Sequence, residues 1–360
     1  MPSLTEVAKQ AGVSLATASM VLNPGKQHCR VSEACAQRVR NAAEQLGYVA
    51  NYHAQSMKLG RAGVIAVALD LGSPGKSRHS ELGSTYFGTI LGAIELYTRN
   101  LGYHMTIVGP DETLRAPERG LLGLKQRRFD GLIVPAVVYR KPPQFMIDAP
   151  HVPIVVIEFL GETQLPVVDW DESAGVALAV QHFKELGHRE LLWLGPADEA
   201  NRPPSRREQS FVNAAREAGI KTSSCHFEYP GSDYKDYRAA MADTAEVAMT
   251  RHLKEHRRKF TGVLCYNDVV GIGACGALAQ AGLSVPGDVS VIGFDDVESS
   301  IAIPRMTSVS HKLHDMGLRA AELVWKMVGD EASRESLRGH REIIQPELVV
   351  RKSTGPAKHV

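Results

Sequence analysis

Cysteine is scarce and unpatterned. The five residues, Cys29, Cys35, Cys225, Cys265 and Cys275, make an odd count with no C-x-x-C pair. That pattern supports neither a disulfide framework nor a four-cysteine zinc site and reads as reduced thiols. Long apolar runs are missing too: no window approaches the roughly 18 uninterrupted apolar residues of a membrane helix. The opening residues, Met1 to Lys9, meet charge at once and lack the apolar stretch of a secretory signal, so a cytoplasmic location is expected. Excess charge of either sign is absent from the whole, at +1 over 360 residues. Hydrophobic content of 44% and charged content of 22% sit near globular averages, which sets aside the disordered and fibrous classes. The length predicts two or three compact units.

The near-neutral total hides an asymmetry. Residues 1–61 hold seven Lys/Arg against three Asp/Glu, a net +4, and the remainder holds 34 against 37, a net −3. A short basic segment of this kind suits a polyanionic partner.

Local signals divide the chain into two textures. Ser3-Leu4-Thr5-Glu6 fits a capping box that starts a helix running to about Ala11, where Gly12 stops it. After Val13, Ser14 is a candidate cap, and Ala18, Val21 and Leu22 recur with the spacing of one buried helical stripe. Ser32 caps a third helix through Ala36, Val39, Ala43 and Leu46, closed by Gly47. Three short helices with a glycine turn between the first two match a helix-turn-helix unit. Residues 50–61, from an Asn51 cap to a Gly60 stop, form a polar connector. From Val64 onward, short apolar runs alternate with amphipathic stretches. The runs are 64–69, 104–108, 131–134, 154–157, 191–194, 262–265 and 289–292, and the alternation predicts βαβ units in two lobes.

Specific motifs then resemble a known family. Leu4 to Ser14, Ala16-Thr17-Ala18-Ser19, Val21-Leu22-Asn23, Val31-Ser32-Glu33 and Leu46-Gly47-Tyr48 are similar to the DNA-binding headpiece of the LacI/GalR transcription regulators. Glu185-Leu186-Gly187-His188-Arg189, Tyr266-Asn267-Asp268, Val285 to Asp296 and Pro346 to Arg351 resemble that family's effector domain, in family order along nearly the whole chain. The resemblance implies a small all-α helix-turn-helix domain followed by a two-lobed α/β core with parallel sheets, like the periplasmic binding proteins. It divides the chain into a headpiece at 1–49, a hinge helix and linker at 50–61, and an effector-binding and dimerisation core at 62–360. Lobe one is expected to gather about 62–160 with 295–325, and lobe two about 161–292 with 326–352. The implied function is a sequence-specific regulator, commonly a repressor, working as a homodimer on a near-palindromic operator under control of a small-molecule effector.

On the second helix, Ala16, Ser19 and Met20 fall opposite the buried stripe, with Leu15 at the N-terminal rim. The hydroxyls of Ser14, Thr17 and Ser19 suit phosphate oxygens, while the family's base-reading positions fall on Leu15, Ala16 and Met20. None of those three makes the bidentate bonds by which Arg or Asn reads a purine, so readout is expected to lean on thymine methyls and DNA shape. The resemblance adds Asn23, Asn51, Ala54, Gln55 and Lys58 to the DNA contacts, and places Met57 where the family inserts a leucine wedge into the minor groove. The segment from Pro24 to Arg30 looks longer than the family's.

For the core, the resemblance assigns effector contacts to Glu158, Arg207, Asn267, Asp295 and His311, with Tyr86 and Phe87 as apolar walls. Asp70 joins them as a polar residue at a strand end, where α/β sheets bind ligands. Carboxylates, one Arg and aromatic faces suit a polyhydroxylated ligand such as a sugar. The loop from Asp70 to Thr85 looks about ten residues longer than the family's.

Other readings are weaker. Gly271-Ile272-Gly273-Ala274-Cys275-Gly276 matches the G-x-G-x-x-G pattern of a dinucleotide enzyme, yet Asn267 and Asp268 would start the helix first and leave the glycines inside it. Gly75-Lys76-Ser77 lacks the first glycine of a P-loop. His252 to His256 fits H-x-x-E-H among cations that oppose Zn²⁺. A two-lobed solute-binding protein without a nucleic-acid role shares the core architecture, but the basic segment argues against it. Neither an enzyme nor a cofactor or metal is expected.

Overall fold

The computed structural model describes residues 2–22, 31–50, 56, 60–69, 85–136, 144–145, 152–159, 161–197, 206–228, 237–256 and 258–358. Asn23, Asn51, Ala54, Gln55, Met57, Lys58 and Asp70, the 24–30 segment and the loop from 70 up to 84 lie outside the described residues.

Helices α1 (Leu4–Ala11) and α3 (Glu33–Leu46) start and stop where their caps dictate, and α2 (Leu15–Leu22) starts at Ser14, whose hydroxyl accepts the Thr17 amide at 3.1 Å. The Ser3 amide donates to the Glu6 carboxylate at 2.6 Å while the Ser3 hydroxyl accepts the Glu6 amide, so two amides that a helix start leaves orphaned are satisfied reciprocally. Gly12, with φ of 64°, turns the chain sharply into α2 through a left-handed conformation that a side chain would strain. The core beneath is made of Val7, Ala8, Ala11, Ala18, Val39, Ala42 and Ala43. Five of these seven are alanine, so the helix backbones approach closely.

Among the described residues, two six-stranded sheets form the rest. The first runs β11-β5-β4-β3-β1-β2, built from β1 (Val64–Ala68), β2 (His104–Val108), β3 (Gly131–Pro135), β4 (Ile154–Ile157), β5 (Val167–Trp170) and β11 (Arg341–Ile344), all parallel. The second runs β12-β10-β9-β8-β6-β7, from β6 (Glu190–Pro196), β7 (Lys221–Phe227), β8 (Gly262–Cys265), β9 (Ser290–Phe294), β10 (Thr307–Ser310) and β12 (Glu347–Val349); it is parallel apart from the β10–β12 edge. Helices α4 (Thr85–Asn100), α5 (Ala116–Lys125) and α10 (Leu313–Met327) cover the first sheet. Helices α6 (Glu172–Glu185), α7 (Arg206–Ala218), α8 (Tyr237–Glu255) and α9 (Asp268–Gln280) belong with the second, and the short α11 (Glu331–Ser336) leads into β11.

The sheets divide the chain differently from the sequence expectation. Strand β5 was placed with lobe two but pairs in register with β4 and β11 in sheet one, because Val167 and Val168 sit beside Val156 and Ile157. Strand β10 was placed with lobe one but pairs with β9. The stretch 326–352 is split, β11 going to the first sheet and β12 to the second. The chain therefore crosses between lobes after Trp170, after Ser310 and after Ile344, and the first two crossings bring Trp170 and His311 face to face.

Buried polar side chains lock the second lobe. His188, from the E-L-G-H-R motif, lies 2.7 Å from the Thr261 hydroxyl and 3.1 Å from that of Ser290, tying the starts of three strands together. Asp268 accepts the Val297 amide at 2.8 Å and the Ser308 hydroxyl at 2.6 Å, which fixes the loop after β9; burial pushes its carboxyl up to about 7. Asn267 caps α9, so Gly271, Gly273 and Gly276 lie inside the helix and not at a phosphate-binding turn. A β-carbon on Gly273 would collide with the Ala242 carbonyl of α8. Gly273→Ala is accordingly expected to cost about 1–3 kcal/mol, read from the midpoint of a urea melt. An unchanged midpoint would show that the two helices do not pack this closely.

Candidate effector cleft and DNA-reading face

The strand ends of both sheets converge on one polar cluster. Glu158 follows β4, Trp170 ends β5, Tyr266 follows β8, Asp295 follows β9 and His311 follows β10, which is the carboxyl-end position where open α/β sheets take ligands. His311 is 2% exposed and stacks on Trp170, ring centroids 3.7 Å apart at 16°. Its Nδ1 lies 3.8 Å from a Glu158 oxygen and its Nε2 lies 3.3 Å from Asp295 Oδ1, yet among the described residues neither nitrogen has a hydrogen-bond partner. Burial, and next the charge of Arg207, holds the imidazole well below its ordinary pKa, so it is neutral.

Arg207 reaches the same point from α7. Its Nε donates to Glu172 at 2.9 Å, its Nη1 donates to the Tyr266 carbonyl and approaches Asp295 to 4.0 Å, and its guanidinium lies 4.3 Å from the centroid of Phe294. Burial opposes that charge, but Glu172 and Asp295 outweigh it and raise the pKa further. Burial pushes Glu158 up to about 7, opposed by the Tyr86 hydroxyl that donates to it. Asp295 is likewise pushed to about 6 by burial against the pull of Arg207. Glu158 and Asp295 hold left-handed backbones, with φ of 55° and 91°, a strain tolerated where structure fixes a site.

The structure thus brings together Tyr86, Glu158, Arg207, Asp295 and His311 of the expected set. Phe87 is buried in the apolar core, its ring edge-on to Tyr86 at 5.2 Å. Asn267 spends its side-chain oxygen on the α9 cap. Sequence reasoning missed Trp170, Glu172 and Phe294. Trp170 carried one usable signal, an aromatic at the end of a short β-branched run directly before a helix-capping Asp171.

In the headpiece, Ala18 is buried while Leu15 is 51% exposed. Ser14, Leu15 and Ala16 are exposed, and Thr17, Ser19 and Met20 half-buried, so all six expected residues of α2 and its start keep some surface. The Ser14 and Thr17 hydroxyls pair at 2.9 Å.

Comparison with known proteins agrees in both parts. Residues 3–51 match the bacterial regulatory proteins of the lacI family, and residues 180–354 match the periplasmic binding protein-like domain. The transcriptional repressor PurR of Mannheimia succiniciproducens is 28% identical over 357 residues, 98% of each chain. The transcriptional regulator RegA of Clostridium saccharobutylicum is 27% identical over 354 residues, covering 98% of this chain and 99% of its own. Among solved structures, the lac repressor dimer bound to operator and the anti-inducer ONPF superposes with a TM-score of 0.77 at 23% identity, over 98% of this chain and 99% of that one. A complex of the regulator CelR with cellobiose gives 0.62 at 26%, over 98% and 100%. The lacI-type headpiece removes the ground for a solute receptor without a nucleic-acid role. A DNA-binding helix-turn-helix headpiece joined to a two-lobed, periplasmic-binding-protein-like effector domain makes this chain a transcription regulator of the LacI family.

Proposed function

We propose that the chain is a homodimeric repressor of the cytoplasm whose operator affinity is set by a sugar-type effector in the interlobe cleft. The observation that carries the effector reading is His311: a buried, neutral imidazole between two carboxylates, with both nitrogens unpartnered among the described residues. Unsatisfied buried polar atoms are costly, and a ligand bearing several hydroxyls supplies the missing partners while Trp170 and Tyr86 bound its apolar faces. Structural neighbours hold cellobiose, ribose and lactose, and a repressor of arabinose metabolism in Halalkalibacterium halodurans is 28% identical over 286 residues. DNA contacts fall to Ser14, Leu15, Ala16, Thr17, Ser19 and Met20, with Asn23, Asn51, Ala54, Gln55 and Lys58 beside them and Met57 as the wedge. Asp70 and Asn267 complete the proposed effector contacts. Ile301 and Ile303, 79% and 92% exposed, are apolar surface that a second copy would cover.

Two measurements test this. Selection from randomised duplex DNA should enrich a near-palindrome with the intact chain and not after deletion of residues 1–61. Thermal melts with cellobiose, lactose, ribose and arabinose should show one of them raising the transition, since binding to the native state alone stabilises by mass action. The same sugar should then shift operator affinity. Enrichment that survives the deletion, or stabilisation by none of the sugars, would sink the corresponding half of the reading.

A further inference from the structure

Where the chain passes from the linker into β1, one carboxylate holds it by two bonds. Asp130, at the start of β3, accepts the Ala62 amide on Oδ1 at 2.8 Å and the Gly63 amide on Oδ2 at 2.7 Å. Its own amide donates to the Val64 carbonyl at 2.8 Å, so three successive residues are pinned to a single side of lobe one. Gly63 adopts φ of 67°, a turn that directs the chain away from the sheet.

The last turn of α10 closes on this clamp from three directions. The Arg61 guanidinium lies so close to Gly329, two residues past the helix, that a β-carbon there would collide with it, and Gly329 itself holds a φ of 77°. Val324 sits so near Gly131 that a β-carbon on that glycine would stand 2.6 Å from its Cγ2. Trp325 packs edge-on against Tyr103, centroids 4.8 Å apart, and the Tyr103 hydroxyl is turned toward Asp130 and Arg61. At its other end α10 begins two residues after His311 of the cleft. Fifteen residues at about 1.5 Å each make a rigid element about 22 Å long between the two places. One turn in from the cleft end, Gly317 meets the Ile90 carbonyl of α4 at a separation that admits no side chain, and α4 also carries Tyr86 of the cleft.

We propose, on the reading that this chain grips DNA through its headpiece, that Asp130 is a positioning residue for DNA binding. It fixes the direction in which the linker leaves lobe one, and α10 joins that exit to the effector cleft. Two headpieces must meet two half-sites at one spacing. A linker whose exit is already ordered brings them there without paying backbone entropy on binding, whereas a freed exit pays it at that moment.

The test uses the full-length chain and the duplex that the wild-type protein enriches, against a scrambled duplex at the same salt. Asp130→Asn keeps the size but exchanges one accepting oxygen for an amide that cannot accept. Affinity for the enriched duplex is expected to fall about 100-fold, one residue's ordering at each of the dimer's two linkers converted to binding. Affinity for the scrambled duplex should stay, because the basic headpiece is untouched. Hydrogen exchange should quicken at Ala62 and Gly63 and remain slow through Ile65 to Ala68. If Asp130→Ala loses protection across β1, lobe one has unfolded and the Asn variant alone decides. Faster exchange at 62 and 63 with unchanged preference for the enriched duplex would overturn the positioning role and leave a merely structural clamp. Failure of the wild-type chain to enrich any duplex would sink the parent reading instead, a result distinct from equal binding by wild type and variant.

Discussion

Arg207→Met is expected to abolish the effector response, lowering affinity for the sugar that stabilises the wild-type chain by about 100-fold or more. The guanidinium is the one cation at the centre of the described cleft, shared among Glu172, Asp295 and the Tyr266 carbonyl. Its side chain is 11% exposed, so its removal strands two carboxylates in a poorly solvated place. Losing one partner of a buried pair costs about 3–5 kcal/mol, much of it the burden of the charge left behind. Two effects are then separable. Adding Glu172→Met to Arg207→Met removes one stranded charge and should recover part of the stability in a urea melt, while titration calorimetry still finds no binding. Wild-type affinity in Arg207→Met would mean that the ligand sits elsewhere in the molecule.

Much of this architecture was legible where chemistry is local. The capping box at Ser3 and Glu6, the left-handed Gly12 and Gly47 and the Ala18, Val21 and Leu22 stripe of α2 are properties of a few adjacent residues, and the headpiece follows from them. The apolar runs of β1, β3, β4, β8 and β9 showed because both faces of a central parallel strand are buried. Strand β7 gave no such signal, since five of its seven residues, Lys221 to Ser224 and His226, are exposed at a sheet edge. The lobe boundaries failed for another reason. Whether β5 or β10 stays with its sequence neighbours or crosses is decided by pairing across the chain, which no local window contains. The same fact hid half of the cleft. Glu158, Arg207, Asp295 and His311 came from the family resemblance, but Trp170 and Glu172 become site residues only because the first crossing follows β5.

That placement makes the cleft a proton-sensitive acceptor. Glu158 and Asp295 are pushed to about 7 and about 6 by burial, so between pH 5 and pH 8 both pass from the neutral acid to the carboxylate. Asp169, half-buried and bonded to Arg341 at 2.8 Å, is raised in the same direction, while His311 stays neutral across the range. A carboxylate accepts hydrogen bonds from ligand hydroxyls with a full charge behind them, and a protonated acid offers less acceptor strength and a competing donor. Affinity for a neutral sugar should therefore rise with pH, by about tenfold or more from pH 5 to pH 8, in calorimetric titrations at fixed ionic strength. Linkage demands the reciprocal: sugar binding at pH 6.5 releases protons, seen as a binding heat that depends on the buffer's ionisation enthalpy. Glu158→Gln should flatten the upper part of the profile near pH 7 and leave the lower part, due to Asp295, in place. A profile that falls with pH would mean that the bound ligand relies on protonated acids as donors, and the hydroxyl-donor account of the cleft would be lost.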